Sequence, residues 1–431
     1  GQAEATGNTG DWAQMSADEE LGLVYLGVEL PTSDSTGMYR VGPALFGDTI
    51  VALDYRTGAR KWHYQMVHHG LWDRDVPCAA ILCDIPHNGK TVKALAQPSK
   101  QSFLYVLNRE TGEPIWPIPE RPVPKGDVPG EWYSPTQPIP SRPPPYDMQG
   151  VLPENLIDFT PALHAEALEL VKNFRTGPLF TPPSMATATG TAGTLFCPGA
   201  QGGTNWPGGS YDPDTHMVYV FSKTTLGVAG IVANSDQKAS DLAYVHGTYG
   251  VQPRPATPMG AVRTAGAPAE EDAAPAAAPA ARARRVPTTV QGLPLLKPPY
   301  GRITAIDLTK GELAWQVAHG ETPDAIRNHP ALKGIKIART GQAANLGPLT
   351  TRTLVICGDG GFFTEEHGVR GARLRAYDKA SGEEKGAVYI PAPQSGAAMT
   401  YMLGGQQYIV LAIGGGNISA QLVAFRLPRR M

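Results

Sequence analysis

Residues 50–62, Ile50-Val-Ala-Leu-Asp54-Tyr-Arg-Thr57-Gly58-Ala-Arg-Lys-Trp62, join an apolar run to a polar turn and a tryptophan. The apolar run favours a strand, and Asp54 can bond the backbone of the turn that follows. Gly58 can supply the positive φ that a tight hairpin turn requires. The strand after the turn then carries Trp62, an aromatic residue large enough to pack between neighbouring sheets.

This element recurs three more times. In each copy an apolar strand ends at Asp or Asn and a turn containing glycine follows; the copies cover residues 104–116, 303–315 and 374–382, the last without its tryptophan. A second element, a hairpin feeding a tyrosine-bearing strand, occurs at 15–25 and 209–219. Such units, separated by insertions, are typical of β-propellers. The sequence therefore predicts an all-β fold, a β-propeller of four-stranded blades, with about five blade equivalents of roughly 40–50 residues each.

Composition excludes several classes of protein. A formal net charge of −2 over 431 residues gives no argument for nucleic acid or for an acidic membrane as a partner. No run approaches the 18 or so apolar residues of a membrane-spanning helix. The cysteines show neither a CxxC pair nor a CxxCH haem signature. We expect Cys78 and Cys83, which lie in an apolar run, to be core residues.

Three stretches depart from the repeat pattern. Residues 117–160 are rich in proline and predict an extended excursion over the surface. A helix is expected around residues 162–171. Residues 253–289 are rich in Ala, Pro and Arg with almost no large apolar groups, so this insertion is expected to be disordered.

A loop within residues 61–77 concentrates chemically active side chains. It contains His68 and His69, then Trp72, Asp73 and Asp75, and it ends in Val-Pro. In an extended stretch, side chains two residues apart share a face, so the two carboxylates can aim at one cation. Two carboxylates that close either raise one pKa or recruit a positive charge. The alternative is a polar surface loop around a packed tryptophan.

In combination these residues resemble a known family. The motifs are Trp72-Asp-x-Asp75 after His-His, Gln97-Pro-Ser-Lys100 before a strand, Gly202-Gly-Thr-Asn-Trp206, and the stretches 297–307 and 399–410. They resemble the quinoprotein dehydrogenases, eight-bladed propellers that bind pyrroloquinoline quinone, and most closely the glucose-dehydrogenase branch. The resemblance covers residues 12–120 and 180–426. It implies one incomplete quinoprotein propeller domain over residues 1–426, equivalent to the C-terminal part of the family fold.

The resemblance implies a role for each motif residue. Asp73 would be the catalytic base that takes the proton of a substrate hydroxyl while hydride passes to the quinone. Lys100 would bond the quinone oxygens and stabilise negative charge there. Asn205 would contact the cofactor, and Trp206 would help to wall the site. The alternatives are a surface ion pair for Lys100 and a packed core aromatic for Trp206.

The family also places a Ca²⁺-like ion on the quinone. By resemblance Asp73 would touch this ion, and Asp75 stands where lanthanide-using relatives carry a further carboxylate. Hard oxygen ligands suit either Ca²⁺ or a trivalent ion. Glu29 can replace the metal-binding asparagine of the family. His68 and His69 have no third ligand at zinc-site spacing and are expected to line the site or to pack.

The resemblance implies oxidation of a sugar or alcohol, with electrons passing to a membrane quinone or a separate cytochrome. It also implies a periplasmic location, although the chain shows no signal peptide and opens on Gly1-Gln2. The N-terminal blades of the family, which supply a glutamate metal ligand, have no counterpart, so we expect an incomplete site and a chain that can be inactive alone. An alcohol dehydrogenase of the same family is the first alternative. A non-enzymatic propeller scaffold of the outer-membrane-assembly type is the second.

Overall fold

The regular secondary structure of the protein, seen in a computed structural model, consists almost entirely of β-strands. The structure describes residue 7 and residues 9–187, 189–238, 242–247, 287–365 and 367–427. Helical structure in these ranges is limited to short pieces: helix α1 (Pro161–Val171), helix α2 (Asp324–Arg327) and the 3-10 turns Pro153–Asn155 and Pro330–Leu332. The prediction of an all-β fold is confirmed.

The strands alternate with tight turns along the chain. The first half contains β1 (Ser16–Asp18), β2 (Leu23–Val28), β3 (Thr49–Asp54), β4 (Arg60–Gln65), β5 (Ile81–His87), β6 (Lys90–Pro98), β7 (Leu104–Asn108), β8 (Glu120–Pro122), β9 (Thr136–Pro138), β10 (Ser184–Met185), β11 (Thr194–Phe196), β12 (Gly209–Asp212), β13 (Met217–Lys223) and β14 (Gly227–Ala233). The second half contains β15 (Tyr244–His246), β16 (Thr289–Val290), β17 (Leu293–Pro294), β18 (Gly301–Asp307), β19 (Glu312–Ala318), β20 (Leu346–Gly347), β21 (Leu349–Thr350), β22 (Leu354–Gly358), β23 (Phe363–Thr364), β24 (Arg370–Asp378), β25 (Glu384–Ile390), β26 (Gln394–Leu403), β27 (Gln406–Gly415) and β28 (Ile418–Arg426).

Pairing groups these strands into small sheets. Their orders are β1-β2-β3-β4, β5-β6-β7, β10-β14-β11 with β15 on β14, β12-β13-β18-β19, β21-β22-β24-β23 with β25 on β24, and β20-β26-β27-β28. Two-stranded pairs β8-β9 and β16-β17 lie between them. Most neighbours are antiparallel; β10 with β14 and β20 with β26 are parallel.

The repeated turn has the geometry that its sequence predicts. The Oδ1 atom of Asp54 accepts hydrogen bonds from the Arg56 and Thr57 N–H groups, both at 3.0 Å. The Gly58 N–H returns to the Asp54 carbonyl at 2.8 Å, and Gly58 has a φ of +71°. The same arrangement recurs around Asn108, Asp307 and Asp378.

The tryptophan of each repeat packs on the turn glycine of the next repeat. Trp62 covers Gly112, Trp116 covers Gly311, and Trp315 covers Gly382. The Trp62 Nε1–H also donates to the Arg109 carbonyl at 3.2 Å, as the Trp315 Nε1–H does to the Lys379 carbonyl at 3.0 Å. The prediction that this aromatic packs between neighbouring sheets is confirmed.

Successive sheets stack face to face, so the inner strands are buried on both sides. In β7, Tyr105 and Leu107 join the core shared with the first sheet, while Leu104 and Val106 face the core shared with β13 and β18. Side chains alternate between the two faces of a strand, so burial of both faces demands an unbroken apolar run. This constraint explains the Leu-Tyr-Val-Leu sequence of β7.

The irregular stretches lie mostly where they were expected. Helix α1 begins after Thr160, whose hydroxyl accepts the Leu163 N–H at 3.1 Å, so the prediction of a helix at 162–171 is confirmed. Within residues 117–160 the pair β8-β9 is the main regular element. Of the predicted insertion at 253–289, residues 253–286 lie outside the described residues. Thr289 pairs with Pro294, so any such insertion ends before this strand.

All four cysteines, including Cys78 and Cys83, are buried and free, as expected for core residues. Among the helices of the described ranges, none has the length and apolar character needed to cross a membrane.

The glycine turns offer a test of the tryptophan packing. A Cβ on Gly112 would lie 2.7 Å from Trp62 Cδ2, whereas a Cβ on Gly58 would meet nothing within 4 Å; the two φ angles are +79° and +71°. Gly58→Ala should therefore cost only the left-handed backbone strain, about 1 kcal/mol. Gly112→Ala should cost a further ~1–3 kcal/mol because the ring is displaced. Urea unfolding midpoints of the two variants measure this difference, and equal midpoints would contradict the packing.

Candidate active site

Asp73 and Asp75 share one cation. The Lys100 Nζ lies 2.8 Å from Asp73 Oδ1 and 2.8 Å from Asp75 Oδ2. Lys100 follows β6, only 4% of it is exposed, and its ammonium lies 5.7 Å from the centre of the Trp12 ring. The two carboxylates therefore do meet at a single positive charge, as their spacing predicts, and that charge is a lysine side chain. The alternative of a surface ion pair does not fit its burial.

Asp73 is the more exposed and the more basic of the two carboxylates. Its backbone has a φ of +56°, a left-handed conformation that is uncommon for a residue with a side chain. Its side chain is 27% exposed. Burial raises the pKa of Asp73 to about 6, opposed by the Lys100 ammonium and reinforced by the Asp75 carboxylate. At neutral pH the group is thus an ionised carboxylate that is more basic than an ordinary aspartate.

Asp75 is held as a structural anion. Its Oδ1 accepts the Leu30 N–H at 2.7 Å, and its Oδ2 accepts the Trp12 Nε1–H at 3.2 Å as well as Lys100. Burial raises the pKa of Asp75, but the Lys100 ammonium and the Leu30 N–H outweigh it, so this pKa lies below its usual value. The surroundings of the two aspartates therefore shift their pKa values in opposite directions.

A third carboxyl group, that of Asp48, lies behind this pair. Neither of its oxygens has a hydrogen-bond partner among the residues that the structure describes. Burial holds the pKa of Asp48 well above its usual range, and the Asp75 carboxylate adds to the rise. Asp48 therefore adds less negative charge to the cluster than its residue type suggests.

Asp73 opens onto a cavity of about 450 Å³. Its lining includes the aromatic side chains of Trp72 and Phe196, the polar segment 32–35, and His246. Arg40 fixes the polar segment, because its guanidinium donates to the Ser33 carbonyl at 2.9 Å and also to the Gly70 carbonyl. Apolar surface and hydrogen-bonding groups therefore both lie beside the Asp73 carboxylate.

The motif Gly202-Gly-Thr-Asn-Trp206 packs directly against Lys100. A Cβ on Gly202 would lie 2.6 Å from the Lys100 Cα, and the Gly203 N–H donates to the Lys100 carbonyl at 2.9 Å. Glycine is therefore required for the backbone to approach this lysine. The amide of Asn205 bonds its own loop, donating to the Gln201 carbonyl at 2.7 Å and accepting the Trp206 N–H at 2.7 Å.

Trp206 is 37% exposed and lies over Gly396. It is therefore not the packed core aromatic of the alternative reading. The structure brings Asn205 and Trp206 to the same loop as the glycine pair that contacts Lys100. Their contact with a cofactor stays a prediction.

The predicted metal ligands are not assembled into a cage. Glu29 Oε1 accepts the Gly10 N–H at 3.1 Å, while Asp73 and Asp75 are occupied by Lys100. Within the described ranges no three His, Cys, Asp or Glu side chains are grouped so as to hold a metal ion. These residues are not grouped as a metal site by themselves; their role as ligands stays a prediction, and we assign the metal no step in the chemistry.

The two histidines of the loop have structural partners. His68 Nε2 lies 3.0 Å from Glu120 Oε1, and His69 Nε2 lies 2.9 Å from Glu131 Oε1. His69 is buried and its Nδ1 lies 2.7 Å from the Gly42 carbonyl. Both residues pack the loop against neighbouring segments, as expected.

The sequence of the chain matches a described family over nearly its whole length. Residues 1–409 match the profile of the glucose/ethanol/alcohol dehydrogenase β-propeller domain, a pyrroloquinoline quinone (PQQ) family. The chain belongs to this family. The β-propeller prediction is thereby confirmed, while the number of blade equivalents stays a prediction.

Relatives in the family are quinoprotein dehydrogenases. The probable quinate dehydrogenase (quinone) of Xanthomonas campestris pv. juglandis is 31% identical over 97% of this chain and 50% of its own length. The quinoprotein glucose dehydrogenase of Escherichia coli K12 is 30% identical over 97% of this chain and 49% of its own length. The chain thus spans about half the length of these curated relatives.

A solved structure supports the fold. The quinohemoprotein alcohol dehydrogenase of Pseudomonas putida HK5 superposes with a TM-score of 0.55 at 21% identity, covering 95% of this chain and 45% of that one. At this identity the likeness concerns the fold alone.

Several groups at the site were not anticipated from the sequence. Trp12, Asp48 and Asn345 carry no local signal, because each reaches the site only through tertiary packing. Lys223 did carry a signal, since a lysine ends the buried strand β13. A charge at the end of a buried strand is a reasonable pointer to a functional site.

The pKa of Asp73 depends on Lys100. In a ¹³C NMR titration of the Asp carboxyl carbons, the Asp73 signal should shift with a midpoint near 6, the value to which burial raises its pKa. Lys100→Gln should move this midpoint upward, because removing the ammonium leaves two close carboxylates that cannot both ionise easily. Lys310→Gln, which removes an exposed lysine paired with Asp307, is the control and should leave the midpoint unchanged. An unchanged midpoint in Lys100→Gln would contradict the shared-cation arrangement.

Proposed function

We propose that this chain carries the catalytic base of a quinoprotein dehydrogenase that oxidises a hydroxyl group of a sugar or alcohol. The observation that carries the proposal is the Asp73–Lys100–Asp75 cluster at the wall of a cavity of about 450 Å³. Membership of the PQQ family supports the reaction class. A non-enzymatic scaffold has no use for a buried lysine between two carboxylates, one of which opens onto a cavity.

Asp73 acts as the base. A substrate hydroxyl in the cavity donates its hydrogen to the carboxylate, and the proton transfers to Asp73 as the carbon gives up hydride. The pKa near 6 suits this task, because the group is ionised at neutral pH but binds a proton more readily than an ordinary aspartate. Asp75, whose pKa is lowered, keeps Lys100 in place and stays ionised throughout.

Lys100 supplies the positive charge. Two of its three N–H groups bond the carboxylates, which leaves one to donate to a cofactor oxygen. When bound, PQQ supplies the hydride-accepting carbon of the reaction. Asn205 and Trp206 lie on the loop beside Lys100, where an amide and an aromatic face would hold a planar ring.

The substrate class follows from the cavity and the relatives. The relatives are named for quinate and for glucose, both rich in hydroxyl groups. A cavity lined by both polar and apolar groups suits such molecules. We propose that electrons leave to a membrane quinone or a separate cytochrome, and that the protein works in the periplasm, as the family resemblance implies. A primary-alcohol substrate is the alternative within the same chemistry.

Asp73→Asn should strongly lower kcat while PQQ still binds. Loss of a general base lowers kcat by roughly a hundredfold to ten-thousandfold. The measurement is dye reduction by the PQQ-loaded chain with glucose, quinate, glycerol or ethanol. In the unchanged chain kcat/KM should rise tenfold per pH unit below a midpoint near 6 and then level off, because Asp73 must be deprotonated to act.

The control for this experiment is Asp214→Asn, since Asp214 is exposed in the β12–β13 turn. It should retain full activity. A kcat that is not lowered in Asp73→Asn, or a pH profile with no inflection near 6, would show that another group is the base.

The metal ligands form a separate proposal. We keep Asp73, Asp75 and Glu29 as candidate ligands for Ca²⁺ or a trivalent lanthanide ion, on the strength of the family resemblance and their hard oxygen atoms. An ion on these carboxylates has to compete with the Lys100 ammonium and needs further oxygen ligands beyond those grouped here.

Calorimetric titration with Ca²⁺ and with La³⁺ tests the metal proposal. If Asp75 is a ligand, Asp75→Asn should weaken binding by at least about tenfold, since one charged ligand is lost. Glu29→Gln tests the third ligand in the same way, and Asp214→Asn again serves as control. Equal affinities in all variants, or no binding of either ion, would remove these residues from the metal site.

A further inference from the structure

A second buried lysine, Lys223, ends strand β13 close to Lys100. Only 3% of Lys223 is exposed. Its Nζ donates to Gln201 Oε1 at 2.9 Å and to Asn345 Oδ1 at 2.6 Å. Across the residues that the structure describes, the ion pairs include none from a carboxylate to this ammonium. A buried positive charge is thus held only by neutral amide oxygens.

The two lysines are neighbours through the glycine pair. The Gly203 N–H donates to the Lys100 carbonyl at 2.9 Å, and the Lys223 N–H donates to the Gly203 carbonyl at 2.9 Å. Lys100 and Lys223 therefore flank the same residue, each near the end of a strand of a different sheet. Burial, together with the smaller effect of the Lys100 ammonium, lowers the pKa of Lys223 to about 8.

A purely structural role does not explain a charge at this position. Tying the Gln201 loop to Asn345 requires only hydrogen-bond donors, which a neutral amide would provide. Burying an ammonium without a counter-ion costs free energy that a neutral donor would not. A ligand that brings negative charge to Lys223 would offset that cost.

We propose that Lys223 binds a carboxylate group, beside Lys100, in the loaded site. Two of its three N–H groups are used by Gln201 and Asn345, which leaves one for the ligand. This inference rests on the proposed function, which brings two sources of carboxylate to the site. PQQ carries three carboxylates, and a substrate of the quinate type carries one.

The test compares the unchanged chain with Lys223→Gln by titration with PQQ alone, followed by absorbance or fluorescence. Loss of a charge-assisted hydrogen bond should raise the Kd for PQQ by roughly tenfold to a hundredfold. Lys223→Met, which keeps the apolar stem, guards against a folding defect, and Lys223→Arg should restore most of the affinity. Lys172→Gln, which removes an exposed lysine of helix α1's C-terminal end, is the matched control.

Steady-state kinetics show whether the carboxylate bound by Lys223 belongs to PQQ or to the substrate. If the carboxylate belongs to PQQ, the Kd for PQQ rises in Lys223→Gln and the KM values for quinate and glucose are affected alike. If it belongs to the substrate, the Kd for PQQ is unchanged and the KM rises for quinate but not for glucose. If the Kd and both KM values are unchanged, the proposal is overturned.

A simpler ligand separates this inference from the proposed function. Benzene-1,3,5-tricarboxylate has three carboxylates but no quinone, so its binding does not depend on the dehydrogenase chemistry. If the unchanged chain fails to bind PQQ, the proposed function fails. In that case the Lys223 proposal is supported if calorimetry shows tricarboxylate binding that Lys223→Gln weakens by tenfold or more. It is contradicted if both chains bind the tricarboxylate equally or not at all.

Discussion

One buried ammonium group, that of Lys100, keeps the carboxylates of Asp73 and Asp75 side by side. Without it two carboxylates this close could not both ionise at neutral pH. A buried ion pair adds little to stability, because desolvation offsets the attraction. Its effect here is on the protonation of the two carboxylates and not on stability. The same cation sits between an aspartate that opens onto a cavity and has a raised pKa, and one that is locked by Leu30 and has a lowered pKa. Surroundings that shift the pKa values of two neighbouring carboxyl groups in opposite directions indicate which one acts as the base and which one stays ionised to hold the site together.

The charged groups of the site lie just after or at the ends of strands, so the stacking of the sheets determines their positions. Lys100 follows β6 and Lys223 ends β13, while the Asp73 loop follows β4. The inner strands cannot shift, because both of their faces are buried against neighbouring sheets. Each tryptophan on the next turn glycine fixes the spacing between repeats. The glycine pair at 202–203 then lets the backbone approach Lys100 closely enough to join it to Lys223. The positions of the charged groups are thus a consequence of sheet packing.

The parts of the structure that depend on residues close together in the sequence could be predicted. The turn at Asp54 and Gly58 is set by residues four apart, so its hydrogen bonds follow from the sequence. The sequence predicts that Asp73 and Asp75 meet at one cation, but from an extended backbone; in the structure Asp73 has a left-handed φ of +56°, and the cation is a lysine. The interactions of Trp12 with Asp75 and of Asn345 with Lys223 span 63 and 122 residues. No local pattern encodes them. Glu29 shows the same limit, because no local pattern indicates that its side chain accepts the Gly10 N–H. Its role as a metal ligand stays a prediction.

The balance of charge within the site determines where an anion would bind. Lys100 is matched by Asp75, which stays ionised, and by Asp73, which is ionised above a pH of about 6. Asp48 contributes little, because burial favours its neutral form. Lys223 has no carboxylate partner in the described part of the chain and is bonded only to the amide oxygens of Gln201 and Asn345. At neutral pH the two aspartates thus exceed the charge of Lys100 by one, whereas the ammonium of Lys223 contacts no carboxylate of the described residues. An anionic ligand attracted there would leave Asp73 free to take the proton.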